Sequence, residues 1–337
     1  MSTSTTAQLS WGVLSTAEIG TVKVIPAIQQ SRRGRVLGLA SRDRYRAEQA
    51  ATPLGIERAY GSYEELLADP DIDAIYNPLP NHLHVPWTIR AAAAGKHVLC
   101  EKPIALTASE AETLLEVRDR AGVAIQEAFM VRTHPQWVGV RNSIAGGDIG
   151  ELRAIQGFFS YYNDDPSDIR NQADIGGGGM LDIGCYPVTT SRFVTGSEPT
   201  RVVAMVERDP GTGVDRLGSA LLDFAGVQAS FVYGTQTFPY QRMTFVGAAG
   251  RVEVEIPFNA PPDRPCRVLW FRDGAPGAAP EVDDIPVCDQ YSVAADAFAA
   301  AILDSSPLPV PLEDSVRNMR VLDALLASAQ TGAWRAL

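Results

Sequence analysis

Long apolar runs are missing from this chain of 337 residues. None approaches the ~20 residues that a helix needs to cross a bilayer. Cysteine is scarce and scattered: Cys100, Cys185, Cys266 and Cys288 form no C-x-x-C pair. That spacing argues against a disulfide framework or a zinc site and suits a reducing, cytoplasmic setting. The histidines His82, His84, His97 and His134 show no metal-ligand spacing, so no metal is expected. Positive charge is in deficit, with 29 Lys and Arg against 40 Asp and Glu and a net charge of −11. A binder of nucleic acid or of an anionic membrane needs a basic footprint that this balance does not supply. Met1 to Gln8 is a Ser/Thr stretch with no basic region and no apolar core. No signal peptide is read there, and a frayed tail is expected. No internal repeat is visible. What is present is a globular composition, 45% hydrophobic and 20% charged. It can bury a sizeable core, and the length suggests about two domains.

The first 125 residues alternate strand and helix signals. Trp11 to Leu14, Arg35 to Ala40, Asp73 to Tyr76, His97 to Cys100 and Val123 to Ile125 read as strands. Helical patterns run between them: Ile19 to Ile28, Asp43 to Leu54, His84 to Ala94 and Ser109 to Arg120, with a capping box at Ser62 to Glu65 opening a short fifth helix. Such alternation predicts βαβ units and a doubly wound parallel sheet. After a helix near His134 to Ala145 the chain becomes strand-rich. Leu152–Tyr162, Arg201–Glu207, Ser219–Phe224, Ala229–Tyr233, Met243–Val246 and Arg251–Ile256 are candidate strands, with hairpin turns at Ala225-Gly226 and Ala249-Gly250. A helix over Gly179 to Val194 interrupts them, and two helices, Tyr291–Leu303 and Glu313–Thr331, close the chain. The fold class expected is α/β: a Rossmann domain over 8–126, then an α+β domain over 127–312 on a large, mostly antiparallel open sheet.

A parallel sheet places ligands beyond the carboxyl ends of its strands. The first turn reads Gly12-Val-Leu-Ser15-Thr16-Ala17-Glu18-Ile19-Gly20. A G-x-G-x-x-G fingerprint would place glycine at positions 15, 17 and 20. Ser15 and Ala17 are small enough to let the backbone approach a pyrophosphate, and an ordinary tight turn reads the same way. The second strand ends in Ser41-Arg42, where an NAD site usually carries an acid. A hydroxyl and a guanidinium suit a 2′-phosphate, which favours NADP over NAD; a solvated loop charge is the alternative for Arg42. The third motif is Asn77-Pro78-Leu79-Pro80-Asn81-His82-Leu-His84, a stiff turn able to wall a ribose–nicotinamide site. His84 can bond a ribose or cap the next helix.

The strand ending Cys100-Glu101-Lys102-Pro103 is expected to point a lysine into the crevice, a surface lysine being the alternative, and Pro103 is a candidate cis peptide. The segment Asp168 to Pro187 holds four consecutive glycines, Gly176 to Gly179, expected to form a flexible loop of close approach. Asp182 and Tyr186 follow at i, i+4 on one helix face. They suit a proton-handling pair, or a polar pair capping a core helix. A phenol titrates near ~10 and needs an adjacent ammonium to ionise at neutral pH, which Lys102 can provide.

These segments, together with Glu127-Ala-Phe-Met130 and His134-Pro-Gln, resemble the glucose–fructose oxidoreductase/inositol dehydrogenase/MocA family over nearly the full chain. The resemblance implies a Rossmann domain plus a second domain whose open sheet carries a homodimer or homotetramer interface. It also implies that the closing helix, 313–331, packs back on the first domain. Lys102 of the Glu-Lys-Pro motif would be catalytic. Inositol-dehydrogenase-like members carry His where this chain has Tyr186. That departure looks like the branch of glucose–fructose oxidoreductase, NADP-dependent xylose dehydrogenase, dihydrodiol dehydrogenase and nucleotide-sugar 3-ketoreductases, in which the tyrosine is the acid/base. No twin-Arg leader is read, which separates the chain from exported glucose–fructose oxidoreductases.

The reading that follows is hydride transfer between a nicotinamide and a carbohydrate carbon. Lys102, Tyr186 and Asp182 are the catalytic set. Ser15, Thr16, Ala17, Glu18, Ile19, Ser41, Arg42, Pro78, Leu79, Asn81, His84, Glu101, Lys102 and Tyr291 are expected at the cofactor, and Phe159, Tyr162, Arg170 and Gln172 beside the substrate. Three activities compete. One is an NADP-linked aldose 1-dehydrogenase giving a lactone. Another is a reductase of a keto-sugar or nucleotide-sugar, or a dihydrodiol dehydrogenase. The third is a dinucleotide sensor without catalysis, which has no need of both Lys102 and Tyr186.

Overall fold

The computed structural model describes residues 7–272, 274–275 and 277–337. The tail expected over Met1 to Gln8 lies outside the described residues as far as residue 6. The chain divides into two compact units, residues 1–133 with 289–316 and residues 134–288 with 317–337. This differs from the expected division in two ways. The first unit runs seven residues past 126 and reclaims the helix after 289, and the closing helix is counted with it only as far as Val316.

In the first unit, β1 (Leu9–Leu14), β2 (Gly34–Ala40), β3 (Arg58–Tyr60), β4 (Ala74–Asn77), β5 (His97–Cys100) and β6 (Ile125–Glu127) form one sheet in the order β3-β2-β1-β4-β5-β6. Every pairing is parallel. Helices α1 (Ile25–Gln30), α2 (Arg44–Ala51), α3 (Tyr63–Leu67), α4 (His84–Ala93) and α5 (Ala108–Ala121) connect the strands. The sequence reading lacks β3, and its 123–125 strand pairs two residues later. The box at Ser62 is half formed: Ser62 accepts the Glu65 N–H, but Glu65 accepts from Gly61. Glycines of this sheet allow close packing, Gly34 among them, where a Cβ would lie 2.7 Å from Trp11. A Cβ at Gly12 would lie 2.7 Å from Leu66, and one at Gly38 2.7 Å from Tyr60.

The second unit opens with α6 (Pro135–Ala145), then β7 (Leu152–Tyr162), α7 (Cys185–Thr195), β8 (Arg201–Arg208), β9 (Asp215–Asp223), β10 (Gln228–Gly234), β11 (Gln236–Gly247), β12 (Arg251–Val254), β13 (Cys266–Phe271) and β14 (Glu281–Ile285). Helix α8 (Gln290–Leu303) belongs to the first unit, where Phe298 packs on Trp11 with ring centroids 5.4 Å apart. Helix α9 (Leu312–Thr331) and β15 (Arg335–Ala336) end the chain. Among the described residues, nine strands run in the order β14-β13-β12-β11-β7-β10-β9-β8-β15, with only β7–β10 parallel. Both expected hairpin turns are present, between β9 and β10 and between β11 and β12. Alternation sorts the sheet's two faces. Ile155, Phe159, Phe231, Met243 and Phe245 are buried, and the opposite face leaves Met205, Leu221 and Tyr240 exposed. Gly157 lets α7 approach, since a Cβ there would lie 3.2 Å from Pro187. Among the described residues no helix is long and apolar enough to cross a membrane.

Candidate active site

Two helices that carry functional residues begin the same way. Ile19–Val24 ahead of α1 and Met180–Gly184 ahead of α7 are wound as π-turns. In both cases a proline follows, Pro26 and Pro187. Proline has no N–H for the carbonyl four residues back, and its ring presses on that carbonyl, so widening the preceding turn relieves both problems.

In the first unit, Ser15 stands where the fingerprint's first glycine would be and adopts its left-handed backbone, with φ +77°. Its N–H donates to Ala40 O at 2.9 Å, and its Oγ accepts the Ala17 N–H at 3.2 Å. Thr16, Ala17 and Ile19 are half-buried and Glu18 is exposed. Gly20 is not forced by sterics, because a Cβ there would lie 3.7 Å from Pro78 and Tyr76. Ser15 therefore reproduces the turn that the first glycine of the fingerprint would make. At the end of β2, Ser41 is buried and Arg42 is exposed, and among the described residues no carboxylate pairs with Arg42. The neighbouring Asp43 is committed elsewhere: it caps α2 by accepting from the N–H groups of Tyr45 and Arg46.

The turns after β4 and β5 are tied together. Asn77 donates to His84 O at 3.1 Å and accepts the Leu79 N–H at 3.3 Å. Glu101 accepts from the Tyr76 hydroxyl at 2.7 Å and from the Lys102 N–H at 3.3 Å. Tyr291 faces the same carboxylate, and burial first, then that charge, raises its pKa. The Lys102–Pro103 bond is cis, as expected. Ile104 N–H donates to the buried Glu127 at 2.8 Å. His84 is not a cofactor contact, contrary to the sequence reading. It is 1% exposed, and its ring nitrogens lie 2.7 Å from Pro103 O and 2.6 Å from Leu79 O. Burial pushes its pKa down to about 4, outweighing both carbonyls; the ring is enclosed between two turns, and in its neutral form its one N–H donates to one of the two carbonyls. Pro78 and Leu79 are likewise buried, whereas Asn81 and Lys102 are half exposed.

In the second unit, β7 meets the helix that carries Asp182 and Tyr186. Phe159 packs edge-on against Tyr186 at 5.6 Å, and Phe258 lies 5.3 Å from the same ring. Two residues along the strand, and so on the same face, the Tyr161 hydroxyl donates to Asp182 Oδ2 at 2.5 Å. Arg170 Nε lies 3.6 Å from that oxygen. Burial and the Asp182 charge raise the Tyr161 pKa, keeping it a donor. Asp182 and Tyr186 thus share a face, as the spacing predicted. Tyr162 does not share it: it lies on the opposite face, 61% exposed, and donates to Asp164. Tyr161 is the tyrosine the sequence reading missed. Gln172 ties its own loop by donating to Ser167 O at 2.9 Å. If Tyr161 holds Asp182 in place, Tyr161→Phe should lower kcat/KM about tenfold, the usual loss for one hydrogen bond to a charged group. Steady-state kinetics on the purified variant checks this.

One unit carries a parallel sheet with a small-residue first turn and, after β2, a cation with no ion-pair partner among the described residues; the other gathers Tyr, Asp and Arg. These are the features expected of a dinucleotide-dependent oxidoreductase. Residues 9–129 match the model of the oxidoreductase family with an NAD-binding Rossmann fold, and residues 137–253 match the GFO/IDH/MocA C-terminal domain. The chain belongs to this GFO/IDH/MocA family of NAD(P)-dependent oxidoreductases. It is 48% identical to an uncharacterised oxidoreductase of Rhizobium meliloti over 96% of this chain and 98% of that one. It is 38% identical to D-xylose 1-dehydrogenase (NADP(+)) 2 of Haloferax volcanii over the same shares. A 3-ketoreductase from Actinomadura kijaniata, solved with NADP and TDP-benzene, superposes with a TM-score of 0.88 at 33% identity, covering 95% of this chain and 98% of that one.

Proposed function

We propose that this protein is an NADP-linked aldose 1-dehydrogenase, oxidising the ring hydroxyl at C1 of a free sugar to a lactone. The observation that carries the choice of a free sugar is the charge of the loop that leads to Asp182. Residues 163–176 hold Asp164, Asp165, Asp168 and Asp174, and their single cation, Arg170, is paired with Asp168 and Asp182. Hydrogen bonds from Ser167 lower the Asp165 pKa and keep it ionised. A nucleotide-sugar brings a diphosphate, which needs spare cations and would meet carboxylates on this loop. A neutral sugar needs only hydroxyl partners, which Asp182, Tyr161 and Arg170 can supply.

NADP suits the first unit better than NAD, because Arg42 is an exposed cation after β2 and its neighbouring acid is used as a helix cap. When bound, the nicotinamide supplies the hydride chemistry. Tyr186, as phenolate, takes the C1 hydroxyl proton in oxidation and returns it in reduction. Lys102 is assigned the positive charge that favours the phenolate. Asp182, its Oδ2 oriented by Tyr161, accepts a hydroxyl of the sugar.

Absorbance at the nicotinamide band should rise with NADP⁺ and pentoses or hexoses, and little with NAD⁺. Turnover of keto-sugar nucleotides but of no free aldose would replace this reading with the reductase. Tight NADP binding without turnover of any sugar, diol or ketone would replace it with the sensor.

The open sheet face suits a second copy of the chain. Its centre is apolar, with Met205, Leu221 and Tyr240 exposed, and it is flanked by self-complementary ion pairs such as Arg242–Glu253 and Arg267–Glu255. A symmetric interface of this kind sets the same patch against itself. Leu221→Asp with Met205→Asp should shift the mass measured by light scattering to that of a monomer. An unshifted mass would place any interface elsewhere.

A further inference from the structure

The four glycines that precede Asp182 are not a flexible loop. A Cβ at Gly177 would lie 2.6 Å from the carbonyls of Arg170 and Gln172. One at Gly178, where φ is +126°, would lie 2.2 Å from Asp215 Oδ1, and one at Gly179 2.6 Å from the Tyr233 ring. The opposite side of that ring is equally close: a Cβ at Gly218 would lie 2.4 Å away. Gly178 and Gly179 are therefore cut to the shape of two side chains from β9 and β10, and Gly177 to the carbonyls of its own loop.

Asp215 is 5% exposed and ion-pairs with no Lys or Arg among the described residues. Its Oδ2 accepts from Met180 N–H at 2.6 Å and from the Tyr233 hydroxyl at 2.5 Å. Arg208 is the nearby cation that acts on it, through its field alone. Burying a carboxylate without a paired base costs free energy, and an apolar residue of similar size would avoid that cost. What the carboxylate supplies instead is a fixed acceptor for the first N–H of the turn carrying Asp182. Asp182 N–H in turn donates to Gly178 O at 3.0 Å.

We infer that Asp215, fixed by Tyr233, is a positioning residue: it sets the entry of the π-turn and thereby the placement of Asp182 and Tyr186. This rests on the catalytic roles proposed for those two residues. It predicts a loss in the chemical step that exceeds the loss in sugar affinity through Asp182, since a misplaced catalytic group costs rate.

The test uses the full chain, wild type and with Asp215→Asn, and Tyr233→Phe as the milder variant that removes one donor only. For Asp215→Asn, kcat with NADP⁺ and an aldose should fall roughly tenfold, with sugar KM rising by a smaller factor. Tyr233→Phe should fall in between. Amide hydrogen exchange should quicken about tenfold or more at residues 178–186 and not elsewhere in the second unit. An unchanged kcat, a loss confined to KM, unaltered exchange at 178–186, or exchange quickened across the whole unit would each overturn the inference. Exchange is read without substrate. A wild type that turns over no aldose therefore sinks the proposed activity and leaves the positioning role judged by exchange alone.

Discussion

Replacing Tyr186 by phenylalanine is expected to cut kcat by ~10²-fold or more while NADP affinity stays unchanged. General acid–base catalysis by one side chain contributes typically 10²–10⁴-fold. The substitution removes one oxygen and keeps the ring that packs against Phe159 and Phe258. The side chain is 5% exposed, so a truncation to alanine would open a cavity and confuse chemistry with folding; phenylalanine avoids this. The residue lies in the second unit, and the residues assigned to the dinucleotide lie in the first. Affinity for NADP is therefore the internal control. The pH profile gives an independent reading. If Tyr186 acts as phenolate in oxidation, kcat rises with pH through its ionisation, and that limb disappears in Tyr186→Phe. Unchanged turnover, or a pH limb retained at wild-type position, would remove Tyr186 from the acid/base role.

The elements that position this site were legible to different depths. The βα alternation of the first unit stood out because most of its strands are short apolar runs separated by helical stretches, one of them opened by Ser62, which accepts the Glu65 N–H. β3 did not stand out. Arg-Ala-Tyr is three half-buried residues, and it becomes a strand through its partner β2. β6 was placed two residues early because Val123 to Ile125 is the apolar stretch, whereas pairing with Val98 to Cys100 uses the buried polar Gln126 and Glu127. β13 and β14 were hidden by a proline-rich approach and by the acidic Glu281 to Asp284, which suits an edge strand.

The same distinction divides the site. Lys102, Asp182 and Tyr186 were readable because motif and spacing name them. Tyr161 was not, because Phe158-Phe159-Ser160-Tyr161-Tyr162 offers tyrosines of both parities, and a one-residue slip exchanges the faces. Only the pairing of β7 with β11, Phe159 opposite Gln241 and Gly157 opposite Met243, decides which tyrosine meets Asp182. His84 was read as a ribose ligand or a cap because its two carbonyl partners come from separate turns, one of them nineteen residues away. Asp215 and Tyr233 carry no local signal at all. Their part is visible only from the glycines shaped around them.

Arg42→Ala is expected to weaken NADP binding ten- to a hundredfold and to leave NAD binding within about twofold. A charged hydrogen bond is worth ~1.5–3 kcal/mol, and a guanidinium can make two to a phosphate. Arg42 is exposed, so solvent and salt screen part of that gain, which sets the range below the full sum of two bonds. Raising the ionic strength should shrink the NADP effect and leave NAD untouched. Asp43 supplies the contrast. Because its carboxylate accepts the N–H groups of Tyr45 and Arg46, Asp43→Ala should lower stability by about 1 kcal/mol without converting the protein to NAD. The whole chain carries a net charge of −11, so its long-range field opposes an approaching NADP. The preference proposed for the phosphorylated cofactor would then be local, and Arg42, a guanidinium clear of ion pairs among the described residues, is where it is expected to reside. Equal losses for NAD and NADP in Arg42→Ala, followed by fluorescence titration at two salt concentrations, would remove Arg42 from that role.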